Sequence, residues 1–207
     1  MIRFPPRGLY AITPERDFAA GELETAVTAA LRGGAAAIQY RNKKDGERRR
    51  KEASALTAIC RQYKVPLIIN DDVELAMAIG ADGVHVGKDD ADTAAARAAL
   101  GPKAIIGVSC YASPARAVAA ASAGADYVAF GSFYPSLSKP GAPACPASVL
   151  QEARALVSLP LVAIGGITRE NGAELIGRGA DVLAVIQDVF GHADVRAAAA
   201  RLASLFD

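Results

Sequence analysis

A Gly-Ala pair directly before every second predicted strand is the feature that most limits how this chain can fold. The pairs begin at Gly34, Gly80, Gly124 and Gly179, so the glycines are 46, 44 and 55 residues apart. Each interval holds two predicted strand–helix units, and the repeat therefore indicates four doubled units. Glycine at this place ends the preceding helix, because it takes a positive φ without steric cost. Eight strand–helix pairs are the number that closes a (β/α)8 TIM barrel.

The size and charge of the chain narrow the protein class. Its 207 residues, 52% of them hydrophobic, are enough for one domain with a large core, and we expect residues 1–207 to form a single α/β domain. The net charge is +1, from 23 basic and 22 acidic residues, which predicts neither a nucleic acid nor a membrane as partner. Barrel exteriors often pair, so a homo-oligomer fits the sequence, although no apolar stripe requires one.

Nothing in the sequence indicates export. The N-terminal segment lacks the long apolar core of a signal peptide, and no run is long enough and uncharged enough to cross a bilayer. The three cysteines, Cys60, Cys110 and Cys145, have neither metal-ligand nor Cys-x-x-Cys spacing. We therefore expect free thiols in a cytoplasmic protein.

Short runs rich in Val, Ile and Ala predict the strands of a parallel sheet covered by helices. The predicted strands are Leu9–Ile12, Ala36–Tyr40, Leu67–Asn70, Gly83–Val86, Ala104–Val108, Tyr127–Phe130, Leu161–Ile164 and Val182–Ile186. The predicted helices are Glu22–Leu31, Glu47–Tyr63, Val73–Ile79, Ala91–Leu100, one starting at Ser113-Pro114, Ala147–Val157, Arg169–Arg178 and Asp194–Leu205. One long irregular segment, residues 131–146, follows the sixth strand.

Two carboxylates follow neighbouring predicted strands. Asp71 comes after the third strand and Asp90 after the fourth, and a right-handed crossover joins these strands. Both carboxylates therefore lie at the carboxyl end of the sheet, where barrel enzymes have their active sites. Paired carboxylates beside an amide such as Asn70 suit a hard cation, and we predict a Mg²⁺ site. Alternatively, Asp71 and Glu74 form a capping box, and Asp90 caps the next helix in the same way.

Two further groups at this end of the predicted barrel suit phosphates. Arg41, Lys43 and Lys139 are cations that, together with the carboxylate pair and Mg²⁺, fit a diphosphate. The backbone of Gly165-Gly166 and of Ile186-Gln187 follows strands seven and eight, where many barrels bind a phosphate through N–H groups. Two phosphate sites in one mouth predict two phosphorylated substrates, or one substrate phosphorylated at both ends.

Several polar residues have a purely structural interpretation. His85 lies within a strand, where a hydrogen-bonded core histidine is more common than an acid or base. Ser109 and Cys110 have no evident base partner, so neither is expected to be a nucleophile. The charged run at residues 47–52 is interpreted as a solvated helix face. The acidic residues of the Gly-Ala repeat lie at the opposite end of the barrel and are interpreted as structural: Asp82, Asp126 and Asp181.

Lys139 also has two interpretations. A lysine in a loop rich in Pro and Gly is by default a solvated surface residue. Its neighbours Ser136 and Ser138 carry hydroxyl groups that suit a phosphate, which favours a phosphate-binding loop or a lid that closes over the site.

Six segments carry a resemblance to a known family. In order they read IQYRNK, INDD…ADGVHVGKDD, GVSCY, GADYVAFGSFYPSLSKP, VAIGGIT and AVIQDVF. Their order and spacing resemble the thiamine-phosphate synthase (thiamine-phosphate pyrophosphorylase) family over nearly the whole chain. The resemblance implies a TIM-barrel transferase that joins 4-amino-2-methyl-5-hydroxymethylpyrimidine diphosphate to 4-methyl-5-(2-phosphooxyethyl)thiazole. The implied products are thiamine phosphate and diphosphate, and the implied cofactor is Mg²⁺.

The resemblance also implies roles for the residues at matching positions. Arg41, Lys43, Ser109 and Lys139 are the implied catalytic group, and the carboxylates Asp71 and Asp90 are the implied Mg²⁺ ligands. The implied contacts to the pyrimidine diphosphate are Gln39, Tyr40, Arg41, Asn42, Lys43, Asn70, Ser109 and Lys139. The implied contacts to the thiazole phosphate are Ser136, Leu137, Ser138, Gly166, Ile186 and Gln187.

The chain departs from the family pattern at a few of these positions. The family often has Glu at the place of Asn42 and Gln at that of Lys88. Thr is usual where Ser136 and Ser138 stand, and serine keeps the hydroxyl group. Gln187 replaces a Ser or Thr that helps to hold the thiazole phosphate, so here the backbone amide remains while the side chain is larger.

The chemistry implied by the resemblance is dissociative. The diphosphate leaves first, the aminopyrimidine supports a cation at its exocyclic methylene, and the thiazole nitrogen captures that cation. Three alternatives stay open: a thiazole tautomerase-like isomerase that needs no Mg²⁺, a barrel enzyme acting on a single phosphorylated substrate, and a non-catalytic protein that binds the thiazole phosphate. The retained set Asp71, Asp90, Arg41, Lys43 and Lys139 argues against the isomerase.

Overall fold

The computed structural model describes residues 2–44, 46–87, 92–136, 141 and 143–207. Within these ranges eight parallel strands form a closed barrel, in which each strand pairs with the next in sequence and the eighth pairs with the first. This confirms the predicted (β/α)8 TIM barrel. The strands are β1 Gly8–Ile12, β2 Ala35–Tyr40, β3 Leu67–Asn70, β4 Gly83–Val86, β5 Ile105–Tyr111, β6 Tyr127–Phe130, β7 Leu161–Ile164 and β8 Val182–Val185.

The helices follow the strands and cover the outer face of the barrel. They are α1 Glu22–Arg32, α2 Glu47–Tyr63, α3 Val73–Ile79, α4 Thr93–Leu100, α5 Pro114–Ser122, α6 Ser148–Arg154, α7 Gly172–Gly177, α8 Gln187–Phe190 and α9 Val195–Ala203, followed by a 3₁₀ turn at Ser204–Phe206. In the described ranges, no helix has the length and apolar character needed to cross a membrane.

The structure corrects some predicted boundaries. β5 continues through Ser109 to Tyr111, because these residues still pair with β6 across a register shift. α7 begins at Gly172 rather than three residues earlier, because Thr168 N donates to Asn171 Oδ1 at 2.8 Å and forms a turn first. Smaller differences are the earlier ends of α6 and α9, at Arg154 and Ala203, and the short helix α8, which has no counterpart among the predicted elements.

Two hydrophobic layers follow from the alternation of side chains along the strands. One layer lies between the strands and the helices, and the other fills the barrel itself. Inside the barrel Phe4 stacks on Tyr127, with ring centroids 3.7 Å apart. Tyr127 reaches across to β5, where a Cβ atom at Gly107 would lie only 1.9 Å from its Cζ atom. The absence of a side chain at Gly107 therefore lets Tyr127 occupy the barrel interior.

The Gly-Ala-Asp repeat ties neighbouring strands together at the amino end of the barrel. The Oδ2 atoms of Asp82, Asp126 and Asp181 accept backbone N–H groups of Leu67, Ile106 and Leu161, at 2.9, 2.7 and 2.8 Å. Each aspartate thus stands before an even-numbered strand and binds the start of the preceding odd-numbered strand. Their structural interpretation is confirmed, and the distance of this edge from the strand carboxyl ends separates them from the chemistry.

We expect Asp126→Ala to lower the free energy of unfolding by about 1 kcal/mol, because it removes the acceptor of the Ile106 amide and the ion-pair partner of Arg97. Urea unfolding monitored by circular dichroism measures this. The matched control is Asp17→Ala, whose solvent-exposed pair with Lys44 contributes little. Equal losses of stability in the two variants would contradict the structural role of the repeat.

The cysteines are free thiols packed in the core. Cys60, Cys110 and Cys145 are all buried and form no disulfide. Burial raises the pKa of the Cys60 and Cys110 thiols to about 12, and that of the Cys145 thiol to about 11. Since the thiolate is the reactive form, none of the three is suited to act as a nucleophile at neutral pH.

At about pH 8, close to the pKa of an ordinary thiol, we expect the folded protein to react far more slowly with a thiol reagent than the unfolded protein. Raised pKa values and burial both reduce the accessible thiolate in the folded state. A colorimetric thiol assay with and without urea measures the rate of reaction. In urea, the unfolded protein should react at all three cysteines. Rapid labelling of the folded protein would be inconsistent with these pKa directions.

Candidate active site

A cavity of about 540 Å³ opens at the carboxyl ends of β2 and β3, where TIM barrels place their active sites. The structure thus brings together several predicted residues from two loops. The cavity is lined by Asn42, Lys43, Arg49, Asn70, Asp71, Asp72, Val73 and Glu74. A second cavity of about 620 Å³ lies on the outer helical surface, between α1 and the start of α9, and contains none of the predicted site residues.

Asp71 is held at this mouth in an unusual backbone conformation. Its φ is +62°, in the left-handed region, which costs a non-glycine residue roughly 1–2 kcal/mol. Its N–H donates to His85 O at 2.8 Å, and Asn70 Nδ2 donates to its Oδ2 atom at 2.5 Å. The carboxylate is therefore fixed between the ends of β3 and β4 at the expense of local strain, which is typical of functional positions.

The capping alternative for Asp71 is wrong. Asp72 is the N-cap of α3, because its Oδ1 atom accepts the Leu75 N–H at 2.7 Å. Asp92 plays the same part for α4, where its Oδ1 atom accepts the Ala94 N–H at 3.2 Å. Because neighbouring residues supply both caps, helix capping does not account for a carboxylate at position 71.

The donor set at the mouth fits a hard cation. Mg²⁺ keeps several of its waters and is usually held by one or two protein carboxylates together with substrate phosphates. Asp71 supplies one such carboxylate in the cavity wall. Among the residues that the structure describes, no cluster of three His, Cys, Asp or Glu side chains could form an all-protein metal cage. The other predicted ligand, Asp90, lies outside the described residues.

The two predicted cations after β2 differ in their surroundings. Arg41 N donates to Thr13 Oγ1 at 2.9 Å, and its guanidinium pairs with Glu15 at 2.7 Å. The Arg41 side chain is largely buried, with 13% exposed, so Thr13 holds its backbone and Glu15 holds its guanidinium in one orientation. Lys43 is exposed, lines the cavity and forms no ion pair within the described part of the chain. One cation is thus preoriented, while the other extends into the mouth.

Tyr40 and Asn42 face α2 rather than the barrel interior. Tyr40 Oη donates to Glu52 Oε2 at 2.6 Å, and Asn42 Nδ2 donates to Tyr40 Oη at 3.2 Å. Asn42 Oδ1 also accepts the Lys44 N–H at 2.9 Å, which closes the turn after β2. The side chains of these two predicted substrate contacts therefore shape the loop that carries Lys43, and Asn42 additionally lines the cavity.

Arg49 is a site residue that the sequence interpretation missed. The interpretation of residues 47–52 as a solvated face is wrong for two of them, since the side chains of Arg49 and Glu52 are only 14% and 12% exposed. Arg49 pairs with Asp72 at 2.8 Å and lines the cavity. The spacing of Arg49 to the buried Ala53 and Leu56 is that of one helix face, and this signal could have revealed it.

A chain of hydrogen bonds crosses the barrel interior beneath the mouth. Gln39 Nε2 donates to Tyr10 Oη at 2.7 Å, and Tyr10 Oη lies 2.9 Å from Tyr127 Oη. Tyr127 Oη lies 3.0 Å from His85 Nδ1, and His85 Nε2 lies 2.9 Å from Ser109 Oγ. This interior chain confirms His85 as a hydrogen-bonded core residue. It also places Gln39 and Ser109 at its two ends.

The loops after β6 and β7 pack closely against each other on the opposite side of the mouth. Gly166 has a φ of +61°, and a Cβ atom there would lie 2.3 Å from Pro135 O. Tyr134 N donates to Gly165 O at 3.0 Å, and Asn171 Nδ2 donates to Gly166 O at 3.0 Å. These contacts bring the segment that ends at Ser136 beside the glycine pair.

The third loop of this side begins α8. Ile186 is the N-cap of α8 and Gln187 is its first residue. Asp188 Oδ2 accepts the Arg169 N–H at 2.8 Å, which connects α8 to the loop after β7. Ser136, Gly166, Ile186 and Gln187 therefore belong to three linked loops. The remaining predictions for this end of the barrel, Lys88, Leu137, Ser138 and Lys139, lie outside the described residues.

Comparisons with known proteins agree with this arrangement. The sequence model of the family described as thiamine monophosphate synthase matches residues 9–189. A protein of Methylobacillus flagellatus named thiamine-phosphate synthase is 53% identical over 204 residues, covering 98% of this chain and 97% of its own. One of Nitrosococcus oceani with the same name is 54% identical, covering 94% and 90%.

A solved structure is similar over the same length. The thiamine phosphate pyrophosphorylase from Pyrococcus furiosus superposes with a TM-score of 0.86 at 36% sequence identity, covering 97% of this chain and 95% of its own. From its sequence, its barrel and the residues gathered at the barrel mouth, the chain belongs to the thiamine monophosphate synthase family.

Proposed function

We propose that this protein is a Mg²⁺-dependent thiamine-phosphate synthase that works as one barrel domain. It joins the methylene carbon of 4-amino-2-methyl-5-hydroxymethylpyrimidine diphosphate to the ring nitrogen of 4-methyl-5-(2-phosphooxyethyl)thiazole. The C–O bond to the diphosphate breaks, the C–N bond forms, and diphosphate leaves. The observation that carries the proposal is the strained Asp71 carboxylate in a polar cavity at the carboxyl ends of β2 and β3.

The diphosphate is held on the β2–β3 side of the mouth. Lys43 lines the cavity, and Arg41 precedes it in the same loop without lining the cavity itself. We assign both cations to the phosphate oxygens. Arg41 exchanges Glu15 for a phosphate oxygen, because a charged bidentate guanidinium suits both anions. Asp71, together with Asp90, would hold Mg²⁺, which when bound supplies positive charge to the departing diphosphate. Lys139 completes the group of cations on this substrate.

The thiazole phosphate is held on the other side, by the loops after β6, β7 and β8. The backbone N–H groups around Gly166 bind the phosphate, and the lack of a side chain at this glycine lets the loop after β6 pack against it. Ser136 and Ser138 add hydroxyl donors, and Leu137 adds its backbone. Ile186 and Gln187 contribute the N–H groups at the start of the last loop.

The proposed bond-forming step needs no general base. The thiazole nitrogen attacks with a neutral lone pair, and no proton is transferred when the C–N bond forms. This agrees with a site in which Cys110 has a raised pKa and His85 is already hydrogen-bonded on both ring nitrogens. The work of the site is to stabilise negative charge on the leaving diphosphate and to hold the two substrates in line.

We expect Asp71→Asn to lower the rate of diphosphate release by about a hundredfold or more, because the amide cannot neutralise a cation and the metal site loses a charge. The assay supplies both substrates with Mg²⁺ and then omits each of the three in turn. The matched control is Asp194→Asn, the same chemical change at the N-cap of α9, where asparagine caps equally well and activity should be retained.

Two results decide this test. Release that needs both substrates and Mg²⁺, and that is lost in Asp71→Asn alone, supports the synthase. Tight binding of the thiazole phosphate without diphosphate release would reject the synthase in favour of an isomerase or a non-catalytic binding protein.

We expect Gly166→Ala to raise the KM for the thiazole phosphate by about tenfold, with a smaller effect on the KM for the pyrimidine diphosphate. Its positive φ and the close approach of Pro135 O leave no room for a Cβ atom, so the loops after β6 and β7 must separate. The control is Gly177→Ala in α7, where the added Cβ atom meets open space. Steady-state kinetics with each substrate varied separately measure both constants, and equal changes in them would contradict the assignment of this side.

A further inference from the structure

The interior chain of hydrogen bonds is unusual because each of its side chains can donate only a limited number of hydrogen bonds. Gln39 lies at one end and Ser109 at the other, and between them stand two phenols and one imidazole. Gln39, Tyr10, Tyr127 and His85 are all buried, so no bulk water replaces a missing partner. The direction of each hydrogen bond in the chain therefore constrains the direction of the next.

The assigned orientation of the Gln39 amide sets the direction of the hydrogen bonds from that end. The amide Nε2 atom of Gln39 can only donate, so Tyr10 Oη accepts from it and gives its single proton to Tyr127. Tyr127 Oη, having accepted, gives its own proton to His85 Nδ1. His85 then carries its proton on Nε2 and donates to Ser109 Oγ. The hydroxyl proton of Ser109 consequently points away from the chain.

The protonation of the two tyrosine hydroxyl groups supports this order of donors and acceptors. Burial raises the pKa of both Tyr10 and Tyr127 well above that of an ordinary phenol. Each ring therefore keeps its proton and has one, and only one, hydrogen bond to give. If the Gln39 amide were reversed, so that its oxygen faced Tyr10, every bond would reverse and Ser109 would present a lone pair instead.

We infer that Gln39, Tyr10, Tyr127 and His85 form a positioning chain that presents the hydroxyl of Ser109 as a hydrogen-bond donor to the mouth of the barrel. Its acceptor is an anionic oxygen of the bound diphosphate, and this last link rests on the proposed function. A fixed donor binds an oxygen more strongly as negative charge develops on it, whereas a lone pair would repel it. His85, Tyr127 and Tyr10 thus act through Ser109 and do not touch the substrate.

The tautomer of His85 tests the chain without any substrate. The protein has only two histidines, so labelling with ¹⁵N-histidine gives two imidazole spectra. The His192→Gln variant identifies the spectrum of the exposed histidine by its loss. At about pH 8 we expect His85 to be the neutral Nε2–H tautomer, because Tyr127 donates to Nδ1 and Ser109 Oγ accepts from Nε2. A neutral Nδ1–H tautomer, or a doubly protonated ring, would overturn the inference.

Two matched phenylalanine variants locate the cause of the tautomer. Tyr127→Phe removes the hydroxyl that donates to His85, and we expect a mixture of tautomers. Tyr10→Phe removes a hydroxyl from the same buried stack but leaves Tyr127 able to donate, so the Nε2–H tautomer should persist. A mixture in both variants, or in neither, would contradict the proposed direction. If either variant does not fold, the spectrum of the unmodified protein still decides the matter.

A double-mutant cycle connects the chain to catalysis. We expect Tyr127→Phe to lower kcat about tenfold, as other changes behind a functional group do. Ser109→Ala should lower it by at least as much, and the double variant no further than Ser109→Ala alone, because Tyr127 acts only through Ser109. Additive losses would reject the positioning role. If the unmodified protein releases no diphosphate, the proposed function fails, while the tautomer measurement still tests the chain.

Discussion

Closure of eight parallel strands is the constraint on which the rest of the structure depends. Because every strand runs in the same direction, every strand ends at the same mouth, and residues distant in sequence meet there. The aspartates of the Gly-Ala-Asp repeat hold the opposite edge by binding a backbone amide at the start of the preceding strand. Stability and chemistry are thereby assigned to different ends of the barrel, so loops at the mouth can carry strain such as the positive φ of Asp71.

The strands, the barrel and the prominence of Asp71 could be predicted from the sequence, because each depends on local pattern and on strand order. Two kinds of information could not be predicted from the sequence. Side-chain direction within a loop depends on tertiary contacts, which is why Asn42 turns towards Tyr40 and Glu52. Long-range partners are equally invisible, since nothing local indicates that Tyr10 meets Tyr127 across 117 positions. Arg49 lies between these cases, because its helical spacing to Ala53 was present in the sequence but its charge favoured a solvated interpretation.

The interior chain gives the barrel core a part in the proposed chemistry. In most TIM barrels the interior is filled by apolar side chains in layers. Here the layer beneath the mouth is polar, and hydrogen bonds between its side chains order His85 and Ser109. Gly107 supports this arrangement from below, because only glycine leaves space for the Tyr127 ring. In the proposed division of the mouth, cations lie on one side and backbone N–H groups on the other. This hydrogen-bonded layer lies beneath both.

The most direct test of the account is a crystal structure with thiamine phosphate, diphosphate and Mg²⁺ bound together. We expect diphosphate beside Arg41 and Lys43, with the metal joining it to Asp71, and the phosphate of thiamine phosphate at the backbone of Gly166. Ser109 Oγ should lie within hydrogen-bond distance of a diphosphate oxygen. Both phosphate groups on one side of the mouth, or a metal that does not contact Asp71, would contradict it.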